Sequence, residues 1–364
     1  MDRMQSAANA ANVKLRPHSK THKSPLVARW QIERGAVGIC CAKLGEAEVF
    51  AEAGISDIRL PYPINPSNAD RVIRLLDRTH LSFIVDHREV ARQWSAALSR
   101  ASRVVDVLVK VDVGFHRCGI DPKASDVVEM IGEVASLPGL RLRGLLAHAG
   151  HAYHAHSEEH MREIAESEVR TLCDLATACR QAGIRIEELS AGATPPARYS
   201  LQQRGLTEYR PGNYVYFDRT QVALGAATLD DCALTVLATV VSKPAPDRII
   251  LDCGSKTLSS DGARGFDPLP GHGLALLGSD ASPARGLSAS GIQHAADANL
   301  LIERLSEEHA TVRVVSGTTA LEPGDRIRVL PNHSCVVSNL VDQAWLVDGN
   351  ECEALDIAAR GRIS

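Results

Sequence analysis

The sequence predicts an α/β protein, a (β/α)8 TIM barrel followed by a C-terminal β-rich domain, and three observations predict it. Eight short apolar segments, β-branched or leucine-rich, alternate with helical ones over roughly the first 210 residues, the mark of parallel βα units. After Arg210-Pro211-Gly212 the texture changes to strands punctuated by Gly and Pro. Polar and glycine residues gather directly behind the eight segments, at the strand ends where a barrel carries its active site. An open doubly wound sheet is the structural alternative, and the count of eight favours closure.

In chain order, a helix over 2–11 leads into a strand over 13–18. Helices over 24–34, 44–53, 66–77, 87–99, 123–135, 157–182 and 195–203 then alternate with strands over 37–40, 57–60, 81–84, 104–111, 141–147, 185–190 and 206–210. Beyond them, 215–224, 233–242, 248–253, 312–317, 325–330, 335–338 and 344–348 read as strands and 295–305 as a helix. The division falls at 219/220, giving a barrel domain over 1–219 and a β domain over 220–364.

A chain of 364 residues can bury two cores. Its net charge of −4 leaves no basic surplus for a nucleic-acid partner, and its longest apolar stretches are strand-sized, too short to span a membrane. The N-terminus lacks the charged lead and apolar core of a signal peptide. Nine cysteines, an odd number without a regular framework, favour reduced thiols in a cytoplasmic protein.

The stretch Leu15-Arg16-Pro17-His18-Ser19-Lys20-Thr21-His22-Lys23 ends the first strand in a turn crowded with cations and imidazoles. It reads either as a solvated basic turn or as a lysine held at a pocket mouth, where neighbouring cations and partial desolvation favour the deprotonated amine that acts as a nucleophile. What converges on the same rim decides between them. Asp112, Gly114, His116 and Arg117 follow the fifth strand; His148, Gly150, His151 and Tyr153 follow the sixth. Ser190-Ala191-Gly192-Ala193-Thr194-Pro195 follows the seventh, and Arg210-Pro211-Gly212-Asn213-Tyr214 the eighth. Glycine backbone amides and the Thr194 hydroxyl suit an anion, and the loops after strands seven and eight are the usual phosphate site of a barrel. A phosphate facing a lysine points to pyridoxal phosphate, with Lys20 as the Schiff base.

Far along the chain, Pro331-Asn332-His333-Ser334-Cys335 spaces an imidazole and a thiol two apart. On an extended segment both face one side, and together they make a two-ligand metal site with open positions.

These motifs, with Gly38-Ile39-Cys40-Cys41-Ala42-Lys43, resemble the D-serine dehydratase and D-threonine aldolase family of pyridoxal phosphate enzymes, whose barrel is similar to that of alanine racemase. The resemblance runs along nearly the full length. It implies Lys20 as the cofactor lysine, His333 and Cys335 as metal ligands, and Gly192, Thr194, Gly212, Asn213 and Tyr214 as the phosphate loops. It also implies Arg117 and Tyr153 beside the cofactor ring and substrate, and a head-to-tail homodimer. Family members usually begin with a further strand that this sequence does not have before Met1. Gly291-Ile292-Gln293-His294-Ala295 stands where a Glu-Glu-His-Gly-like sequence is usual.

The activity so implied is that of a lyase on small β-hydroxy D-amino acids, D-serine, D-threonine or a 3-hydroxyaspartate, giving a 2-oxo acid and ammonia. A basic residue near the mouth, such as Arg198, would hold a second carboxylate. The alternative is an aldolase releasing glycine and an aldehyde with His151 as base; by the same resemblance aldolases carry His-x-Asp, suited to manganese or magnesium, whereas the thiolate of Cys335 suits zinc. An amino-acid racemase and a non-catalytic pyridoxal phosphate binder are further readings of the same barrel.

Overall fold

The computed structural model describes every residue except 268, 278–290 and 350. Eight parallel strands form one sheet: β1 (Lys14–Leu15), β2 (Ile39–Cys40), β3 (Asp57–Pro63), β4 (His80–Val85), β5 (Val105–Lys110), β6 (Leu140–Leu146), β7 (Glu188–Ala191) and β8 (Glu208–Tyr209). Their order is β1-β8-β7-β6-β5-β4-β3-β2. The Leu15 carbonyl accepts from Val37 N at 2.9 Å, the Pro17 carbonyl from Cys40 N at 2.7 Å, and a parallel bridge pairs His18 with Cys40. The sheet is therefore closed, as the count of eight predicted. Strands such as β5 are buried along their whole length because helices cover one face and the barrel interior the other.

Part of that interior is ionic. Glu208 accepts from Arg16 Nε at 2.7 Å, from Arg59 Nη1 at 2.5 Å and from Ser190 Oγ at 2.6 Å, all from buried side chains. Arg210, also buried, donates to Ser190 Oγ at 2.7 Å and to the Ala147 carbonyl. The network ties β1, β3, β7 and β8 together below the mouth.

The second domain is a six-stranded antiparallel sheet of β9 (Val236–Ala245), β10 (Arg248–Leu251), β11 (Leu274–Leu276), β12 (Leu300–Leu305), β13 (Ala310–Val314) and β14 (Arg326–Leu330), in the order β11-β14-β9-β10-β13-β12. Alternate residues such as Ala238, Val240, Ile249, Leu251, Ile302, Val312, Ile327 and Val329 form its core. A hairpin of β15 (Gln343–Asp348) and β16 (Glu351–Asp356) follows.

Several expectations change here. Residues 215–224 are not a strand but a helical connector, with a 3-10 turn at Asn213–Val215 and a helix at Arg219–Ala223 whose N-cap Asp218 accepts from Gln221 N. The span 335–338 lies inside a helix, Ser334–Leu340, despite its β-branched pair. The helix expected over 295–305 is a short helix at Gly291–Ala295 and then β12, because the apolar run Leu300, Ile302 packs with sheet period two. Strands β11 and β16 were not foreseen. His294 is exposed on the short helix, with Ile292 and Ala295 turned into the core.

Candidate active site

The turn Ser19–Thr21 caps β1, with the His18 side chain accepting from Lys20 N. Ser19 and Thr21 are buried while Lys20 between them is exposed at the mouth. Lys23, by contrast, is buried in an ion pair with Glu46 at 2.9 Å. Of the two lysines only Lys20 has its amine available. His18 and His148 flank it, and burial together with the Lys20 charge holds both imidazoles well below their ordinary value. His148 is neutral, its Nδ1 donating to the Gly192 carbonyl at 2.6 Å. Beneath lies Lys110, buried and pushed down to about 8 by burial and by Arg210, a neighbour the sequence reading did not single out.

The turns after β7 and β8 pack on each other. A Cβ on Gly192 would lie 2.6 Å from the Arg210 amide nitrogen, and one on Gly212 would lie 3.1 Å from Thr21 Oγ1. Only glycine fits at 192, where φ is 156°, and at 212 a side chain would crowd the Thr21 hydroxyl. Thr194 Oγ1 accepts from Tyr214 N at 3.2 Å, which leaves the Thr194 hydroxyl proton free for an anion. The Tyr214 side chain points away: its hydroxyl accepts from Gln31 Nε2 at 3.0 Å and its ring packs with Ala8 and Leu15. Only the backbone of Tyr214 belongs to the cradle.

From the other domain, β14 delivers Pro331-Asn332-His333 to the same rim. The carbonyl of Pro331 accepts from Arg219 N at 3.1 Å, and that of Asn332 from Thr220 N at 3.4 Å. Buried Asp218 completes the join, accepting from Asn213 Nδ2 at 2.6 Å, Ser334 N at 2.9 Å and Gln221 N at 3.0 Å. Burial raises its carboxyl. His333 is the extended N-cap residue and Cys335 the second residue of the helix, so the two are neighbours through a helix start and not along a strand. Thr21 Oγ1 lies 3.1 Å from Cys335 Sγ. Burial alone would lower His333, but its contacts with Cys335 and Asp261 raise it to about 9.

A cavity of about 150 Å³ opens here, lined by Tyr153, Asn213, Gln221, Asp261, Arg264 and His333. The Tyr153 hydroxyl is 3.4 Å from Gln221 Nε2, and burial first, then Cys335, raises it. His151 lies outside that lining, half-buried against Gly114 and stacked with Phe115, its Nδ1 without a partner among the described residues and its imidazole lowered by burial. Arg117 lies over the Phe115 ring at 5.1 Å. Arg198 does not serve the mouth: it is committed to Glu158 at 3.0 Å and to the carbonyls of Pro195 and Leu224 at 3.1 Å each.

Residues 1–220 match the family of the alanine racemase N-terminal domain, and residues 233–347 match the serine dehydratase domain family. The chain belongs to the D-serine dehydratase and D-threonine aldolase family. It is 33% identical to the D-threonine aldolase of an Arthrobacter species, over 98% of this chain and 88% of that protein. It is 32% identical to the D-threo-3-hydroxyaspartate dehydratase of a Delftia species, over 96% and 91%. The solved structure of that dehydratase superposes with a TM-score of 0.87 at 29% identity, covering 98% of this chain and 93% of that one. A cysteine-to-alanine mutant of a D-threo-3-hydroxyaspartate dehydratase, solved in a metal-free form, gives 0.87 at 30%, covering 98% and 93%.

The residues fit the family's cofactor: an exposed lysine, two neutral imidazoles and a glycine-bounded cradle with a free hydroxyl. They also fit a divalent metal. His333 and Cys335 bring an imidazole and a thiol to one helix start, donor types that suit a divalent ion, and among the described residues no group of three His, Cys, Asp or Glu is gathered. Asp218 and Asp261 escaped the sequence reading, since Phe-Asp-Arg and Ser-Asp-Gly look like ordinary turns; only the spatial pairing with Ser334 and His333 marks them.

Proposed function

We propose that this protein is a pyridoxal phosphate- and metal-dependent lyase that dehydrates and deaminates β-hydroxy D-amino acids to a 2-oxo acid and ammonia. The observation that carries the proposal is the Thr21–Cys335 contact, which sets the metal pair of the β domain (220–364) beside the lysine turn of the barrel domain (1–219). Gly192, Thr194, Gly212 and the Asn213–Tyr214 backbone hold the phosphate, and Lys20 anchors the cofactor, which when bound supplies an electron sink at the substrate Cα. The Lys20 amine is placed to take the α-proton, with His18 and His148 neutral beside it. His333 and Cys335 would hold a divalent metal, the thiolate suiting zinc better than manganese or magnesium, and that ion would supply Lewis-acid stabilisation for the departing β-hydroxyl. Tyr153 and Arg117 border the ring and substrate.

Incubation with D-serine, D-threonine and D-threo-3-hydroxyaspartate, with and without a chelator, tests this. Oxo-acid formation abolished by chelation is expected; glycine and an aldehyde instead would move the assignment to the aldolase. One observation favours that second reading: His151 Nδ1 has no hydrogen-bond partner among the described residues and burial lowers the imidazole, as a neutral base requires. All nine cysteines are free, which supports a reducing, cytoplasmic setting, and a homodimer accords with the family. No helix among the described residues is long and apolar enough to cross a membrane.

A further inference from the structure

One carboxylate at the rim has a single ionic partner. Asp261 Oδ2 lies 2.6 Å from His333 Nδ1, and among the described residues Asp261 forms no other ion pair. The chain shapes itself to make this contact. Ser259 stands in the left-handed region at φ 61°, and its hydroxyl accepts from Asp261 N at 3.2 Å. Asn332, buried and next to His333, donates through Nδ2 to the Asp261 carbonyl and to the Gly271 carbonyl, each at 3.0 Å. The segment after β10 and the segment after β14 are thus tied twice, once through backbone and once through the imidazole.

An ionised carboxylate only accepts, so the imidazole nitrogen facing it carries the proton. Nε2 of His333, on the other side of the ring, is then the nitrogen that would give up its proton to a metal. We infer that Asp261 is a positioning residue for the metal: it fixes the ring orientation and tautomer of His333, and so presents Nε2, together with the Cys335 thiolate, to the ion. Carboxylate–histidine–metal relays of this kind orient ligands and raise their basicity. Asp261 touches neither substrate nor cofactor in this role, which rests on the metal reading of His333 and Cys335 given above.

The test measures zinc affinity of the full-length protein loaded with pyridoxal phosphate, by competition with a chromophoric chelator, alongside the cobalt(II)–thiolate charge-transfer band. Asp261→Ala is expected to weaken zinc binding by about 10–100-fold. Asp261→Asn, whose amide oxygen still accepts from Nδ1, should lose less, at least about threefold. At saturating cobalt the thiolate band should persist in both variants, because the ligands are unchanged. Affinity within twofold of wild type in either variant overturns the inference, as does loss of the band, which would make Asp261 a ligand or a prop for the loop. Should the alanine variant fail to retain cofactor absorbance, the asparagine variant decides alone. A wild-type protein that binds no zinc overturns the metal reading itself, whereas zinc-binding wild type with indifferent variants removes only the role of Asp261.

Discussion

Thr21 and Cys335, 314 positions apart, meet with oxygen and sulfur 3.1 Å from each other, and through them the lysine turn of the barrel touches the His333–Cys335 helix start, the pair proposed above to hold a metal. Cys335→Ala should therefore keep cofactor absorbance but lose stoichiometric zinc and oxo-acid formation. Thr21→Val keeps the shape and removes one hydroxyl contact, about 1 kcal/mol, so turnover should fall about fivefold. Metal analysis with a coupled oxo-acid assay checks both; a Cys335→Ala protein with unchanged zinc content would refute the pair.

Asp218 is the joint between the domains. Asp218→Ala leaves the Asn213 amide and the Ser334 and Gln221 N–H groups buried without an acceptor, a loss of at least about 3 kcal/mol. Asp218→Asn restores part of the geometry and should recover part of that loss. Urea unfolding followed by fluorescence measures the difference, and equal stability of the two variants would contradict the assignment.

The barrel was legible because its signal is local: each βα unit repeats an apolar strand and an amphipathic helix, and the site residues follow strand ends. Lys20, Gly192, Thr194 and Gly212 could be placed that way. The β domain was harder, since short edge strands such as β11 and β16 carry little periodicity and the β-branched pair Val336-Val337 favours strand locally while Ser334 and Asp218 fix a helix start. Tyr214 was placed correctly in its loop, but its ring follows the apolar pocket of Ala8 and Leu15 and not the anion. Asp261 was out of reach because only the tertiary fold brings it to His333.

Strong acid should weaken the fold through Glu208. Burial alone would raise its carboxyl, but Arg59 and Arg16 override that and bring it from 4.5 to about 2. Ionisation is thus easier in the folded protein, and the stabilisation, on the order of 3 kcal/mol, is present above the unfolded value and lost as pH falls towards 2. Glu208→Gln takes away the carboxylate that two buried guanidinium groups share and leaves Arg16 with Asp57 and Arg59 with Glu188, so the cost at neutral pH should be about 3 kcal/mol, the low end for a broken buried pair. Denaturant midpoints at pH 7 and pH 3 should converge for the variant and separate for wild type; parallel slopes would disprove the linkage.

A substrate with a second carboxylate would meet Arg264 rather than Arg198. Arg198 has spent its donors on Glu158, Pro195 and Leu224, whereas Arg264 lines the cavity beside His333 and Tyr153, with His154 Nε2 3.4 Å from its Nη1 and no carboxylate partner among the described residues. A charge-assisted hydrogen bond to the substrate is worth about 1.5–3 kcal/mol, so Arg264→Ala should lower kcat/KM for D-threo-3-hydroxyaspartate by about 10–150-fold. D-serine, which has nothing to offer that guanidinium, should change by less than about threefold. Arg198→Ala should affect the two substrates alike, through stability alone. Steady-state kinetics on both substrates decide, and an equal loss on D-serine in the Arg264 variant would show that the arginine shapes the cavity without reading the carboxylate.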